Sequence, residues 1–157
     1  MGDLAIVPWP APAPADYEQV DSLDAAEAEA TGKGLVVRYP EPNELFIDID
    51  SAAQFAEHTK LLAMFQRGEA CAVLYTPSPS GLPGRQHCVV TLQRPVRDAA
   101  ERVHLQALLG SDLKREMLGW LRHQRGADEK RTSLFFEKPG AVEAAFAETV
   151  QVMPEPT

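Results

Sequence analysis

The stretch Glu44-Leu45-Phe46-Ile47-Asp48-Ile49-Asp50-Ser51 alternates apolar and acidic residues at period two. Successive side chains of a strand point to opposite faces, so Phe46, Asp48 and Asp50 share one face and Leu45, Ile47 and Ile49 the other. Few other structures suit that pattern, and it sets two carboxylates side by side at the end of a strand. Like charges so placed repel. A divalent cation reverses the cost: Mg²⁺ or Mn²⁺ prefers hard oxygen ligands and is usually held by one or two carboxylates plus substrate phosphates. The plainer reading of a bare D-x-D is a strand end whose aspartates are solvated or cap the next helix.

A chain of 157 residues is the size of one domain with a two-layer core. Its formal net charge of −8 argues against indiscriminate binding to nucleic acid or to an anionic membrane. The charge is unevenly placed. No Lys or Arg precedes Lys33, whereas Arg94, Arg97, Arg102, Lys114, Arg115, Arg122, Arg125, Lys130, Arg131 and Lys138 crowd one later segment, which leaves room for a basic surface. Cys71 and Cys88 lack metal-binding spacing and sit in apolar runs, the setting of free buried thiols. No secretory leader and no membrane-length apolar run is present, so a cytoplasmic protein without membrane contact is expected.

Residues 1–33 read as a proline-rich and then acidic N-terminal arm: Pro8-Trp9-Pro10-Ala11-Pro12 is extended, and 21–30 has helix propensity with a thin apolar stripe. A lid, a tether or a partner-binding arm would suit it. A core follows over 34–139, then a tail over 140–157. Leu35–Tyr39 and the Phe46–Asp50 run are expected as strands of a hairpin joined through Pro40-Glu41-Pro42-Asn43. Ser51-Ala52-Ala53-Gln54 matches a capping box opening a helix to about Arg67, with Phe55, Leu62 and Phe65 at helical spacing and His58 as a packing residue. Strands over 70–75 and 87–92 flank a loop dense in turn residues, Thr76 to Arg85. Its small residues suit the approach of an anion to backbone amides, with Arg85 and His87 at the exit, although a hairpin loop with a surface histidine is the default.

Asp98 caps a helix carrying Val103, Ala107 and Leu108. Asp112 caps another that carries Leu113, Met117, Trp120 and Leu121 on one side. Lys114, Arg115 and Arg122 fall on its other side or borders, where a solvated face is the simple reading. Residues 132–137 read as a last strand. The expected fold is therefore a single α+β domain.

In this order, Phe46-Ile47-Asp48-Ile49-Asp50, Ser80-Gly81-Leu82-Pro83-Gly84-Arg85-Gln86-His87 and Leu109-Gly110-Ser111-Asp112-Leu113-Lys114-Arg115-Glu116 resemble the archaeo-eukaryotic primase superfamily, which includes the primase–polymerases of phages and plasmids. The marks of that family are an h-D-h-D motif, a small-residue loop leading to s-x-H, and a third acidic residue, and the resemblance spans residues 35–138. It implies an RRM-like antiparallel or mixed sheet packed with helices, and nucleotidyl transfer with Mg²⁺ or Mn²⁺. Asp48, Asp50 and Asp112 would be the catalytic metal ligands, with Glu137 the competitor for the third place. Ser80, Gly81, Arg85, His87 and Arg115 would bind the nucleotide. Nucleotide triphosphates, a single-stranded DNA template and a replicative helicase or other replication protein are the implied partners. The chain has no zinc-binding cysteine set and no P-loop. Two other readings stand beside synthesis: a non-catalytic module on the same fold, binding nucleic acid, nucleotide or a replication partner, and a metal-dependent nuclease or phosphodiesterase using the same carboxylates.

Overall fold

The computed structural model describes residues 22–145. The proline-rich stretch and the last twelve residues of the tail lie outside the described residues. The elements in order are α1 (Leu23–Gly32), β1 (Val36–Arg38), β2 (Glu44–Ile49), α2 (Ala52–Phe65), β3 (Cys71–Pro77), β4 (Gln86–Leu92), α3 (Ala99–Leu108), α4 (Leu113–Gln124), α5 (Glu129–Thr132) and β5 (Phe135–Glu137). A further helix begins at residue 141. Together they make one α+β domain with two small antiparallel sheets.

Strands β2, β4 and β3 form one sheet in that spatial order, and β1 pairs with β5 in a separate ribbon. Pairing is antiparallel throughout the described residues. The expected β1–β2 hairpin does not form. Its connection cannot donate at Pro40 or Pro42, and its carbonyls are taken elsewhere: Arg102 Nη2 donates to Glu41 O at 3.1 Å, and Val96 N donates to Pro42 O at 2.8 Å. The linker is thereby pinned to the approach to α3, and β1 goes to β5.

Period-two alternation divides β2 as its sequence requires. Leu45, Ile47 and Ile49 join Cys88, Val90, Leu92, Leu62 of α2 and Leu109 in the main core. On the opposite face Phe46 packs with Val89 and Phe135. Phe46 and Phe135 stack with ring centroids 4.6 Å apart, which holds the ribbon over the sheet. Helix α1 joins the body through Ala26 and Ala30, one turn apart and both buried.

Strand β2 lies at an edge, with β4 on one side only. The outward backbone groups of Glu44, Phe46 and Asp48 are matched by side chains instead of another strand. Arg102 Nε donates to Glu44 O at 3.0 Å, Phe46 N to Gln106 Oε1 at 2.8 Å and Asp48 N to Ser111 Oγ at 2.9 Å. Arg115 Nη1 donates to Phe46 O at 2.9 Å. Helices α3 and α4 thus cover the edge with polar groups, which satisfies the strand and closes it to other chains.

This arrangement corrects the expected orientation of α4. Its buried residues are Glu116 and Gly119, while Leu113, Met117 and Leu118 are exposed. Strand β2 has hydrogen-bonding groups to satisfy on that side, so the polar face turns inward. Arg102 and Arg115 are likewise structural rather than solvated. The last strand is shorter than expected: residues 129–132 are helical, and pairing starts at Phe135.

Candidate functional site

Asp48 is the penultimate residue of β2, Asp50 follows the strand, and Asp112 is the N-cap of α4. One carboxylate oxygen from each comes within 4.8 Å of the others. Two backbone devices draw them together. Asp112 N donates to Asp48 O at 3.0 Å. Gln54, at the start of α2, donates from Nε2 to Asp48 O at 2.7 Å and Gly110 O at 2.8 Å, and its Oε1 accepts from Asp50 N at 2.8 Å. Asp112 is also an ordinary helix cap, its Oδ2 accepting from Arg115 N at 3.1 Å.

Burial pushes the Asp48 carboxyl above its ordinary value, and the charges of Asp50 and Asp112 act the same way, against Arg115 and His87. Three carboxylates held together at that cost, with Asp50 exposed, fit a hard divalent cation that keeps open positions for substrate. The all-oxygen donor set favours Mg²⁺ or Mn²⁺.

His87 is paired opposite Asp48 across β2 and β4. Its Nε2 lies 3.8 Å from Asp48 Oδ1, and its Nδ1 donates to Glu137 Oε1 at 3.1 Å. The ring stacks on Phe135 at 3.9 Å. Glu137, on β5, is therefore a buried partner of His87. Asp112, not Glu137, completes the acidic group.

Arg115 lies over the other side of the site, its guanidinium 4.8 Å from the Phe135 ring centroid. Besides Phe46 O it donates to Glu116, a buried carboxylate that also accepts from Ser111 Oγ at 2.8 Å and Gln106 Nε2 at 2.8 Å. Burial raises the Glu116 carboxyl, and these three donors oppose that rise, Arg115 most strongly. Arg115 is a fixed charge beside Asp48 with only part of its donor set open to a ligand.

In the β3–β4 loop, Ser78 N donates to Arg85 O at 3.1 Å and Gly81 N to Ser78 O at 3.1 Å. The Gly81 amide is thus engaged within the loop, contrary to its expected role toward a phosphate. Gly84, at φ +81°, allows the loop to lie against the α2 start, where an added Cβ would come 3.2 Å from Ala52 N. This seats Arg85 with Nε 3.9 Å from Asp50 Oδ1. Asp48, Ser80, His87 and Arg115 all line one cleft of about 900 Å³, which Lys33, Phe136 and Lys138 line as well.

Of the residues singled out in the sequence, Asp48, Asp50 and Asp112 converge, with His87, Arg115 and Arg85 around them; Gly81 is turned to another task, and the Ser80 hydroxyl donates to Ser78 Oγ at 3.3 Å within the loop. The sequence reading missed the supports: Gln106, Ser111, Glu116 and Phe135, and Lys33 and Lys138 in the cleft. Polar residues four apart, Arg102–Gln106 and Ser111–Arg115, were the available signal of a buried polar face.

No family model, curated protein or solved structure matches this chain. Among the described residues, no helix is long and apolar enough to cross a membrane.

Proposed function

We propose that the chain is a metal-dependent nucleotidyltransferase of primase–polymerase type, making or extending primers on a single-stranded DNA template in phage or plasmid replication. The observation that carries this reading is the convergence of Asp48, Asp50 and Asp112 within 4.8 Å, with His87 opposite Asp48 on the adjacent strand. The order β2-α2-β3-β4-α3/α4-β5, with β4 between β2 and β3, adds support. A split β-α-β-β-α-β order would suit an RRM-like core, with the fourth strand lying in the ribbon and not at the sheet edge.

The three aspartates would hold Mg²⁺ or Mn²⁺. Such ions stabilise the attacking and leaving oxygens of an in-line phosphoryl displacement. His87, fixed by Glu137 and Phe135, presents Nε2 to the cleft on the side where the incoming nucleotide would lie. Arg115 and Arg85 supply positive charge on either side, and Ser80 lines the cleft. Lys138 adds positive charge to the cleft, and Lys33, paired with Glu29 at 2.8 Å, lines it as well.

A second reading, a primase-derived module that binds nucleotide or a replication protein without synthesis, is favoured by the fate of the basic residues. Arg94 and Arg97 pair with Glu101 at 2.6 and 2.7 Å, and Arg102 is buried on backbone carbonyls. Those three arginines are thereby engaged within the fold rather than offered to template phosphates, from which nucleic-acid affinity chiefly comes. A helicase partner would supply the missing hold on DNA.

The test is primer synthesis and extension on single-stranded DNA with Mg²⁺ or Mn²⁺, comparing wild type with Asp48→Ala/Asp50→Ala. Metal-dependent product lost in the double variant is expected. Nucleotide binding without product from either protein would select the binding module, and template degradation would select a nuclease.

A further inference from the structure

We infer that Gln54 is a positioning residue for the divalent cation, setting the spacing of the three acidic side chains through their backbones. The inference rests on the reading of Asp48, Asp50 and Asp112 as a metal site. A glutamine at this place in a capping box ordinarily returns its side chain to the N-cap amide and closes the first helical turn. Here Ser51 caps the helix by accepting from Gln54 N at 3.1 Å, but the Gln54 carboxamide goes elsewhere. Its acceptor takes the amide of Asp50, and its two donors reach the carbonyls of Asp48 and Gly110, all at 2.7–2.8 Å.

Those three groups belong to the three segments that carry the acids: the end of β2, the residue after it, and the turn leading through Ser111 to Asp112. One planar group thereby ties all three together, using both N–H donors and its carbonyl oxygen. Gly110 makes the approach possible, since at φ +87° its α-carbon faces His58 and an added Cβ would lie 3.3 Å from His58 Cα. Drawing carboxylates together against their repulsion has to be done by the backbone, and Gln54 is the side chain that does it from outside the cluster. Residues that orient metal ligands in this way usually change metal affinity by about 10- to 100-fold when replaced.

The experiment measures Mn²⁺ affinity by titration calorimetry on the full chain without nucleotide, alongside the melting temperature. The proteins are wild type, Gln54→Met, Gln54→Asn and Ser51→Ala. Gln54→Met keeps the side-chain length but none of the three bonds, and should weaken Mn²⁺ binding about tenfold or more. Gln54→Asn keeps the carboxamide one methylene short and should fall between, which covers the case in which the Met variant does not fold. Ser51→Ala removes the helix cap itself, so it should lower the melting temperature yet keep the wild-type Mn²⁺ affinity. Gln54 variants that lose stability but bind Mn²⁺ as wild type does would overturn the inference and leave Gln54 a capping residue. Absence of Mn²⁺ binding to the wild type would remove the metal site itself and this inference with it.

Discussion

The amide of Phe46 donates to the side chain of Gln106 at 2.8 Å, a bond that joins an edge strand to a helix where a further strand would ordinarily sit. Gln106 is fully buried, and its Nε2 also reaches Glu116 and Ser133 at 2.8 and 3.0 Å. Gln106→Leu is close in volume but leaves the Phe46 amide and two acceptors unmatched in the interior. The expected cost is about 3 kcal/mol, within the range for buried groups left without partners. Urea unfolding should show the midpoint falling, with self-association rising as the β2 edge becomes available. An unchanged midpoint would mean that the edge is satisfied in another way.

The acidic cluster makes a prediction with a definite sign. Burial and the neighbouring acids raise the Asp48 carboxyl above its unfolded value. A carboxyl raised on folding contributes stability below the unfolded value and loses it as pH climbs through the folded one. Without metal, then, the cluster becomes a growing liability toward neutral pH, and Mn²⁺ relieves it. Mn²⁺ at a hundredfold excess over its dissociation constant should stabilise the wild type by about 2.7 kcal/mol. Asp48→Asn should be more stable than wild type in metal-free buffer at neutral pH and gain nothing from Mn²⁺. Thermal scans with and without the ion measure both.

How much of this could be read from the sequence follows from how local each signal is. The alternation in Glu44–Ile49 and the Ser51 cap depend on residues a few positions apart, and both elements formed where expected. Pairing partners are set by distant contacts, so the local spacing of β1 and β2 suggested a hairpin although Arg102 and Val96 hold the linker away. Helix α4 is the instructive failure. Leu113 and Met117 resemble a core stripe until one knows that β2 offers backbone groups on this side, which Ser111 and Arg115 reach while Glu116 holds both of them. Within the site, the acids were legible because like charges crowded on a strand call for explanation. Gln54 was not, because its sequence context already had a sufficient meaning as a helix cap.

His58 gives the fold a response to acid. It is fully buried, its Nδ1 donates to Leu109 O at 2.7 Å, and its Nε2 accepts from the Tyr75 hydroxyl at 2.9 Å. Burial lowers its pKa from the ordinary value, with the Leu109 bond acting the other way. A histidine held neutral in the fold binds a proton more readily when unfolded. Its contribution is therefore present above the unfolded value of about 6.5 and is lost as pH falls below it. Unfolding free energy measured by urea should decline between about pH 7.5 and 5.5, in the window where histidine titrates. His58→Gln should be less stable overall but lack this part of the decline. Equal slopes in the two proteins would assign the effect to other groups.

Gly119 sits in the middle of α4, where alanine would ordinarily favour the helix by about 1 kcal/mol. An added Cβ here would lie 2.6 Å from Thr132 O and 3.3 Å from Val103 Cγ2. The first contact is with backbone, which cannot swing aside, so α4 and α5 would have to separate. Gly119→Ala should therefore destabilise by about 1–3 kcal/mol, as overpacked interiors do. Gly32, at the end of α1, has nothing within 4 Å of such an atom, and Gly32→Ala should be neutral or slightly stabilising. The functional consequence separates the two further. Moving Thr132 displaces the short link to Phe135, the ring against which His87 stacks and over which Arg115 lies. Gly119→Ala should then weaken nucleotide binding as well as stability, whereas Gly32→Ala should leave it as in wild type. Unfolding curves and nucleotide titrations on the two variants decide it: a Gly119→Ala protein as stable as wild type would show that the α4–α5 contact can relax, and with it the support of His87.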